Sequence, residues 1–373
     1  MKKIWLLGLL LCLGKLQAQE NVKVETGDIN GADFKILIPE QWDNKLVLFA
    51  HGYEFMGSQG KQSESPQFPK QIAPYLERGF AVAASDYQYK GFALPQGVDD
   101  TEALRRYFVD QYGEPDSIFI VGVSMGGGVA LATMENMGEH YDGALPLCPL
   151  SSRPYLQVRK EFDIYATFNG LFPGIVPSLQ EIFDLDRPLM TPNFSNLYEE
   201  TQRIGKAITE KDSTLAVAFA HRFDLRLDDL AFSLFFNQNV LRDIAEKTGG
   251  NPFDNTNTVY SGFPNDLEVN QKAERLKATA DPGILFDKYD RTGNIDKPVL
   301  LVHTIYDQLI PPQYGVVNFE QMVHQQGNDE FFTVRYTDGQ GHCAFKPKQI
   351  SEAFDMLRRW VSTGKKAKPG FLE

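Results

Sequence analysis

One short stretch carries the first chemical signal in this chain: Gly122-Val-Ser124-Met-Gly126, set directly after the apolar run Ile118-Phe-Ile-Val121. A buried strand, a sharp turn with serine at its apex and a small-residue helix are the context a nucleophile elbow requires. A Cβ at either end of so tight a turn would collide with the backbone, so glycine is needed at 122 and 126. Serine at its ordinary pKa is a poor nucleophile and needs a base, and the base needs a group to orient it. Two later residues supply those types. Asp307 stands four residues after the apolar run Lys297-Pro-Val-Leu-Leu-Val-His303, and His342 lies in the Gly-flanked loop Gly339-Gln-Gly341-His342-Cys343. Asp290 and Asp296 are rivals for the acid, but they precede that strand and belong at the opposite sheet edge.

The elements that must hold these residues follow from hydrophobic patterning. Phe34–Pro39, Lys45–Ala50, Phe80–Ala84, the run before Ser124, Gly143–Cys148, the run from Lys297 and Phe331–Tyr336 read as strands, the last of them closing the series. Most are continuous apolar runs separated by helical segments, including 98–112 and a final helix from Pro347. That is the pattern of a parallel sheet covered on both faces. A helix opening near Ser65-Pro66 and ending at Gly79 fills one connection. Between about 150 and 295 the alternation stops. Helical segments at 214–223 and 228–247 and an irregular Gly/Asn/Pro-rich stretch at 248–264 replace it, far too long for an ordinary loop. The segment reads as a helical lid inserted between late strands.

Three residues then fall after the carboxyl ends of parallel strands in the chain order Ser124, Asp307, His342. Ligands of open α/β sheets bind at that edge. The strand ending His51-Gly52-Tyr53 supplies another piece. The Gly lets a backbone N–H turn inward, so the amides of Tyr53 and Met125 are the candidate oxyanion hole. His51 itself and Asp86, at another strand end, read as structural, and Glu54 reads as a loop carboxylate. His303 reads as a satisfied core residue; His140, His221 and His324 carry no motif.

With the elbow, the acid loop, the histidine loop and His51-Gly52-Tyr53 in place, the sequence resembles the α/β-hydrolase superfamily over about 30–150 and 295–365. Its layout is similar to that of secreted bacterial serine esterases with a large helical lid. The resemblance implies a mostly parallel central sheet covered by helices and a Ser124–His342–Asp307 catalytic triad. It also implies ester hydrolysis through an acyl-enzyme and no cofactor. A serine aminopeptidase or acyltransferase is the alternative on the same fold, with lid carboxylates such as Asp228, Asp229 and Asp266 available to hold a substrate amine. A noncatalytic binding protein is the remote one. The expected partner is a small-molecule ester or a peptide.

The remaining features bound the setting. Met1-Lys2-Lys3, the apolar run Ile4–Leu13 and Leu16-Gln17-Ala18 make a secretory signal peptide over 1–18. Its apolar run is too short to span a bilayer, so export to the periplasm or the medium is expected. The mature domains are then a hydrolase core at 19–150 and 296–373 and a lid at 151–295. Composition is ordinary for a globular protein, 42% hydrophobic and 23% charged, so neither disorder nor a membrane bundle is indicated. The formal charge of −12 becomes −15 once Lys2, Lys3 and Lys15 leave, which opposes binding to nucleic acid or anionic lipid. Cys148 and Cys343 remain, a pair suited to a disulfide that would pin the histidine loop or, equally, to two separate buried thiols. Neither a zinc framework nor an H-E-x-x-H motif is present, so no metal is expected.

Overall fold

The computed structural model describes residues 22–56, 72–188 and 194–373; the signal-peptide segment and the expected helix start at Ser65-Pro66 lie outside them. In chain order the strands are β1 (Val22–Ile29), β2 (Ala32–Pro39), β3 (Lys45–Ala50), β4 (Phe80–Ser85), β5 (Ser117–Val123), β6 (Gly143–Leu147), β7 (Val299–Tyr306), β8 (Phe332–Gln340) and β9 (Gly370–Phe371). They form one sheet in the order β1-β2-β4-β3-β5-β6-β7-β8-β9. Pairing is antiparallel at β1–β2 and β2–β4 and parallel from β4 onward. The core helices are α1 (Ala73–Leu76), α2 (Leu94–Tyr112) and α3 (Met125–Met137). After β6 come α4 (Pro154–Leu171), α5 (Leu179–Phe183), α6 (Phe194–Arg222), α7 (Leu227–Thr248), α8 (Asp266–Lys272) and α9 (Gly283–Phe286). Then follow α10 (Asn318–Gln326) and α11 (Pro347–Thr363).

The period-2 geometry of a strand sends alternate side chains to opposite faces, and here both faces are dry. Leu46 and Leu48 of β3 pack with Leu104, Phe108 and Leu131 of α2 and α3, while Val47 and Phe49 pack on the other face with Phe354, Leu357 and Trp360 of α11. This two-sided burial is why the central strands read as unbroken apolar runs. The sheet's edges break that rule. β1 is exposed along most of its length and carries no alternation, and β9 is two residues long. Both were invisible to patterning, so Phe331–Tyr336 is not the last strand. β7 also runs on to Tyr306, with a register irregularity between Thr304 and Tyr306. Asp307 therefore stands at the end of its strand rather than four residues beyond it.

Residues 154–286 are helical or irregular wherever they are described. α6 breaks at Asp212, whose backbone is extended. The Asp212 carboxylate accepts the Leu215 N–H at 2.9 Å, so it caps the second half, the part recognisable from 214 onward. α4, α6 and α7 share one apolar cluster with Met125, Val129 and Leu150 beside the elbow. The inserted helices and the carboxyl edge of the sheet thus form one continuous core.

Candidate active site

The strand order positions the site. β3 has β4 on one side and β5 on the other, so connections leaving this pair run in opposite directions and open a crevice at their carboxyl ends. Ser124 follows β5 there and Gly52-Tyr53 follows β3. Ser124 has φ 59° and ψ −121°, a conformation that a non-glycine residue holds only when its surroundings enforce it. They do so through three backbone hydrogen bonds. Ser124 N–H donates to the Leu147 carbonyl at 2.9 Å, and its carbonyl accepts from Gly128 at 3.2 Å and Leu150 at 3.0 Å. A Cβ on Gly122 would sit 1.9 Å from the Gly126 carbonyl oxygen, and one on Gly126 would sit 2.1 Å from that of Ala50. The two glycines are required by contact with neighbouring backbone.

His342 Nε2 lies 2.8 Å from Ser124 Oγ, and His342 Nδ1 lies 2.8 Å and 3.0 Å from the two Asp307 carboxylate oxygens. Asp307 is almost wholly buried, and its Oδ1 also accepts the Leu309 and Ile310 N–H groups at 2.9 and 2.8 Å. Burial pushes this carboxyl up. The charge and hydrogen bond of His342, the nearby His303 and the Ile310 amide together outweigh that, and the net displacement is downward. Gln308 fixes the histidine from below, its Oε1 accepting the His342 N–H at 2.8 Å. Cys148 and Cys343 are joined in a disulfide with Cα atoms 5.4 Å apart. The bridge ties the end of β6 to the residue after His342, and both cysteines have positive φ.

No family model matches the chain. An o-phthalyl amidase of Xanthobacter agilis is 19% identical over 91% of this chain and 87% of its own length. Among solved structures, an esterase of Pyrococcus furiosus is 16% identical, with 92% of each chain covered and a TM-score of 0.45. An acylaminoacyl peptidase of Pyrococcus horikoshii is 11% identical, with 93% of this chain but 42% of that one covered and the same score of 0.45. The assignment of fold rests instead on the strand order 2-4-3-5-6-7-8 and on a serine elbow between the fifth strand and the helix after it. The chain has the α/β-hydrolase fold.

Within this hydrolase scaffold the elbow opens into a cleft of ≈470 Å³, counted to its open mouth, lined by Tyr53, Ser124, Met125 and His342 together with residues of α4 and α7. Met125 opens α3, so its N–H is one of the first-turn amides that lack an intrahelical acceptor. The backbone at Gly52 passes so close to the elbow that a Cβ there would lie 3.3 Å from Ser124 Cβ. Both expected oxyanion residues therefore border the serine. The Tyr53 ring packs edge-on against Phe55 and Phe236, and burial drives its phenol far above the ordinary range.

The other candidates go elsewhere. His51 stacks on Tyr87 with ring centroids 3.9 Å apart, and its Nδ1 lies 2.8 Å from the Gly52 carbonyl. Burial lowers its pKa. Glu54 and Asp86 both pair with Lys90. His51, Glu54 and Asp86 offer ligand atoms within 4.8 Å of one another, and the Lys90 ammonium already holds the two carboxylates. His303 is fully buried with Nδ1 2.8 Å from the Thr304 carbonyl, and burial lowers its pKa also. Asp290 pairs with Arg153. Asp229 accepts from the Tyr306 hydroxyl at 2.6 Å, Asp266 accepts the Phe263 N–H at 2.8 Å, and Asp228 is exposed. None of these three lines the cleft. Among the described residues the acidic one that does is Glu161, with Gln157 one turn away on α4. Sequence reading missed both. Their signal was two polar residues on the face of 154–171 that also carries Val158 and Tyr165.

Proposed function

We propose that the chain is a serine hydrolase that cleaves carboxylic esters through an acyl-enzyme, with Ser124 as nucleophile, His342 as general base and acid, and Asp307 as its orienting carboxylate. The unbroken hydrogen-bonded path from Asp307 through His342 to Ser124 carries this reading. His342 Nε2 takes the Oγ proton as Oγ attacks the ester carbonyl, and Asp307 fixes the tautomer and stabilises the imidazolium. The Tyr53 and Met125 amides receive the oxyanion, a contribution of roughly 3–4 kcal/mol per donor in related sites. His342 returns the proton to the leaving alkoxide, and water repeats the cycle to free the acid.

Two further parts belong to the proposal. The helices of 151–295 act as a lid, supported by α4 and α7 residues in the wall of the cleft. The protein works outside the cytoplasm, in the periplasm or the medium, supported by the Cys148–Cys343 bridge. The amidase of Xanthobacter agilis favours a second reading, hydrolysis of an amide by the same groups, in which His342 protonates a poorer leaving group.

A p-nitrophenyl ester series of graded acyl length, run beside aminoacyl p-nitroanilides, tests the reading. Ester turnover that Ser124→Ala abolishes supports the esterase. Turnover of anilides alone moves the assignment to an amidase or peptidase. If neither is turned over and a fluorophosphonate leaves Ser124 unlabelled, the catalytic reading fails.

A further inference from the structure

Away from Ser124, His342 and the Tyr53 hydroxyl, the described cleft wall is apolar except at one place. Gln157 and Glu161 lie one turn apart on α4, so their side chains share a face, and both line the cleft. They are 3% and 7% exposed, and Asn237 of α7, fully buried, packs beside Glu161. Groups this deep are expected to be hydrogen-bonded, because an unpaired one costs about 1–3 kcal/mol. Gln157 Oε1 and Asn237 Oδ1 nevertheless have no partner within the protein, while Asn237 Nδ2 is turned towards the Glu161 carboxylate. The Glu161 carboxylate has one cation, Lys160, at 3.5 Å, which leaves it further acceptor capacity. Burial pushes its pKa up, against the opposing pull of Lys160 and Asn237. None of these groups takes part in the proton transfers at Ser124, so the mechanism leaves them unexplained.

The chemistry of the partner they lack follows from the inventory. The cluster is rich in acceptors: Gln157 Oε1, Asn237 Oδ1 and the Glu161 carboxylate. The Tyr53 hydroxyl, also buried in the cleft wall with no partner within the protein, adds a group that can donate and accept. A hydroxyl both donates and accepts, so it suits such a wall. An ammonium does not, because Lys160 already neutralises the carboxylate and a second buried cation would stand uncompensated. Val158, Phe236, Val240 and Ile310 line the rest of the cleft and suit an apolar chain. We propose that Gln157 and Glu161, backed by Asn237, form a recognition subsite for an uncharged hydroxyl carried at the far end of an otherwise apolar substrate group. This rests on the cleft being the substrate site of the proposed hydrolase.

The test compares matched probes: p-nitrophenyl hexanoate, 6-hydroxyhexanoate and 6-aminohexanoate for the acyl side, and hexyl and 6-hydroxyhexyl acetate for the alcohol side. In one of the two pairs the wild type is expected to favour the hydroxylated member at least about tenfold in kcat/KM, the scale of one buried hydrogen bond. Glu161→Gln and Gln157→Leu should each move that ratio towards one. Two variants are used because Glu161→Gln leaves Lys160 unpaired and is the one at risk of misfolding. A wild-type ratio near one in both pairs, or ratios the variants do not change, would overturn the subsite. Preference for the amino ester over the hydroxy ester would overturn its uncharged character. Calorimetric binding of the same esters to Ser124→Ala needs no turnover. Tighter binding of the hydroxylated member there upholds the subsite even if the wild type hydrolyses nothing, and equal binding rejects it.

Discussion

At the scale of single residues, Asp307 is the informative one, because it carries both a kinetic and a stability prediction. It takes hydrogen bonds from His342 and from two backbone amides while almost wholly buried. Asp307→Asn keeps the shape but reverses the hydrogen bond to Nδ1 and so favours the wrong tautomer. A loss of roughly 10⁴ in kcat is expected, with KM little changed. The same group contributes to stability. Its folded pKa lies below the ordinary 3.8, so folding favours the ionised form. That contribution is complete above the unfolded value and is lost as pH falls through the folded one. The gap in unfolding free energy between wild type and Asp307→Asn should thus be flat above about pH 5 and narrow below pH 4. A gap that widens on acidification would contradict the assigned direction. That Ser124, Asp307 and His342 meet in a hydrogen-bonded row was legible in the sequence, since few residue types suit such chemistry and each sits beside a strand end. The place of Gln157 and Glu161 was not, because their burial depends on how α4 meets α7 across residues that are far apart in the chain.

At the scale of elements, the elbow is held by backbone contact and not by side-chain preference. A methyl on Gly126 meets two carbonyl oxygens, those of Ala50 at 2.1 Å and His51 at 2.4 Å. Neither belongs to a flexible side chain, so α3 would have to move off β3 to make room. Gly126→Ala is therefore expected to cost about 3 kcal/mol or more, at the upper end of overpacking effects. Denaturant unfolding should show a lower midpoint. A loss under about 1 kcal/mol would mean that α3 is free to shift. The same logic explains which elements the sequence discloses. β3, β5 and the start of β7 lie between two layers of helix and show as apolar runs. β1 has too little buried surface to leave a pattern, and the first half of α6 is too polar to stand out before its break at Asp212.

At the scale of the whole molecule, one covalent link joins Ser124's side of the sheet to His342's. Cys148 and Cys343 are 195 residues apart, and helices α4 to α9 all lie in the loop they close. Spacing alone left a bridge and two free thiols equally open; only the packing of β6 beside β7 and of the histidine loop against both brings the sulfurs together. Closing so long a loop removes much freedom from the unfolded chain, about 5 kcal/mol in the chain-entropy treatment and typically 2–4 kcal/mol when measured. Cys148→Ser is expected to lower unfolding free energy by that smaller amount. It should also act on catalysis, because Cys343 follows His342 directly and its Sγ lies 3.4 Å from Nε2. With the loop released, His342 spends less time within reach of Ser124 Oγ. A fall in kcat larger than any rise in KM is expected, reproduced in the wild type by reduction with dithiothreitol and reversed on reoxidation. Peptide mapping without reduction should recover the 148 and 343 peptides linked. If reduction leaves both kcat and the unfolding midpoint unchanged, the bridge neither pins the histidine nor stabilises the fold, and the argument for an oxidising compartment loses its support.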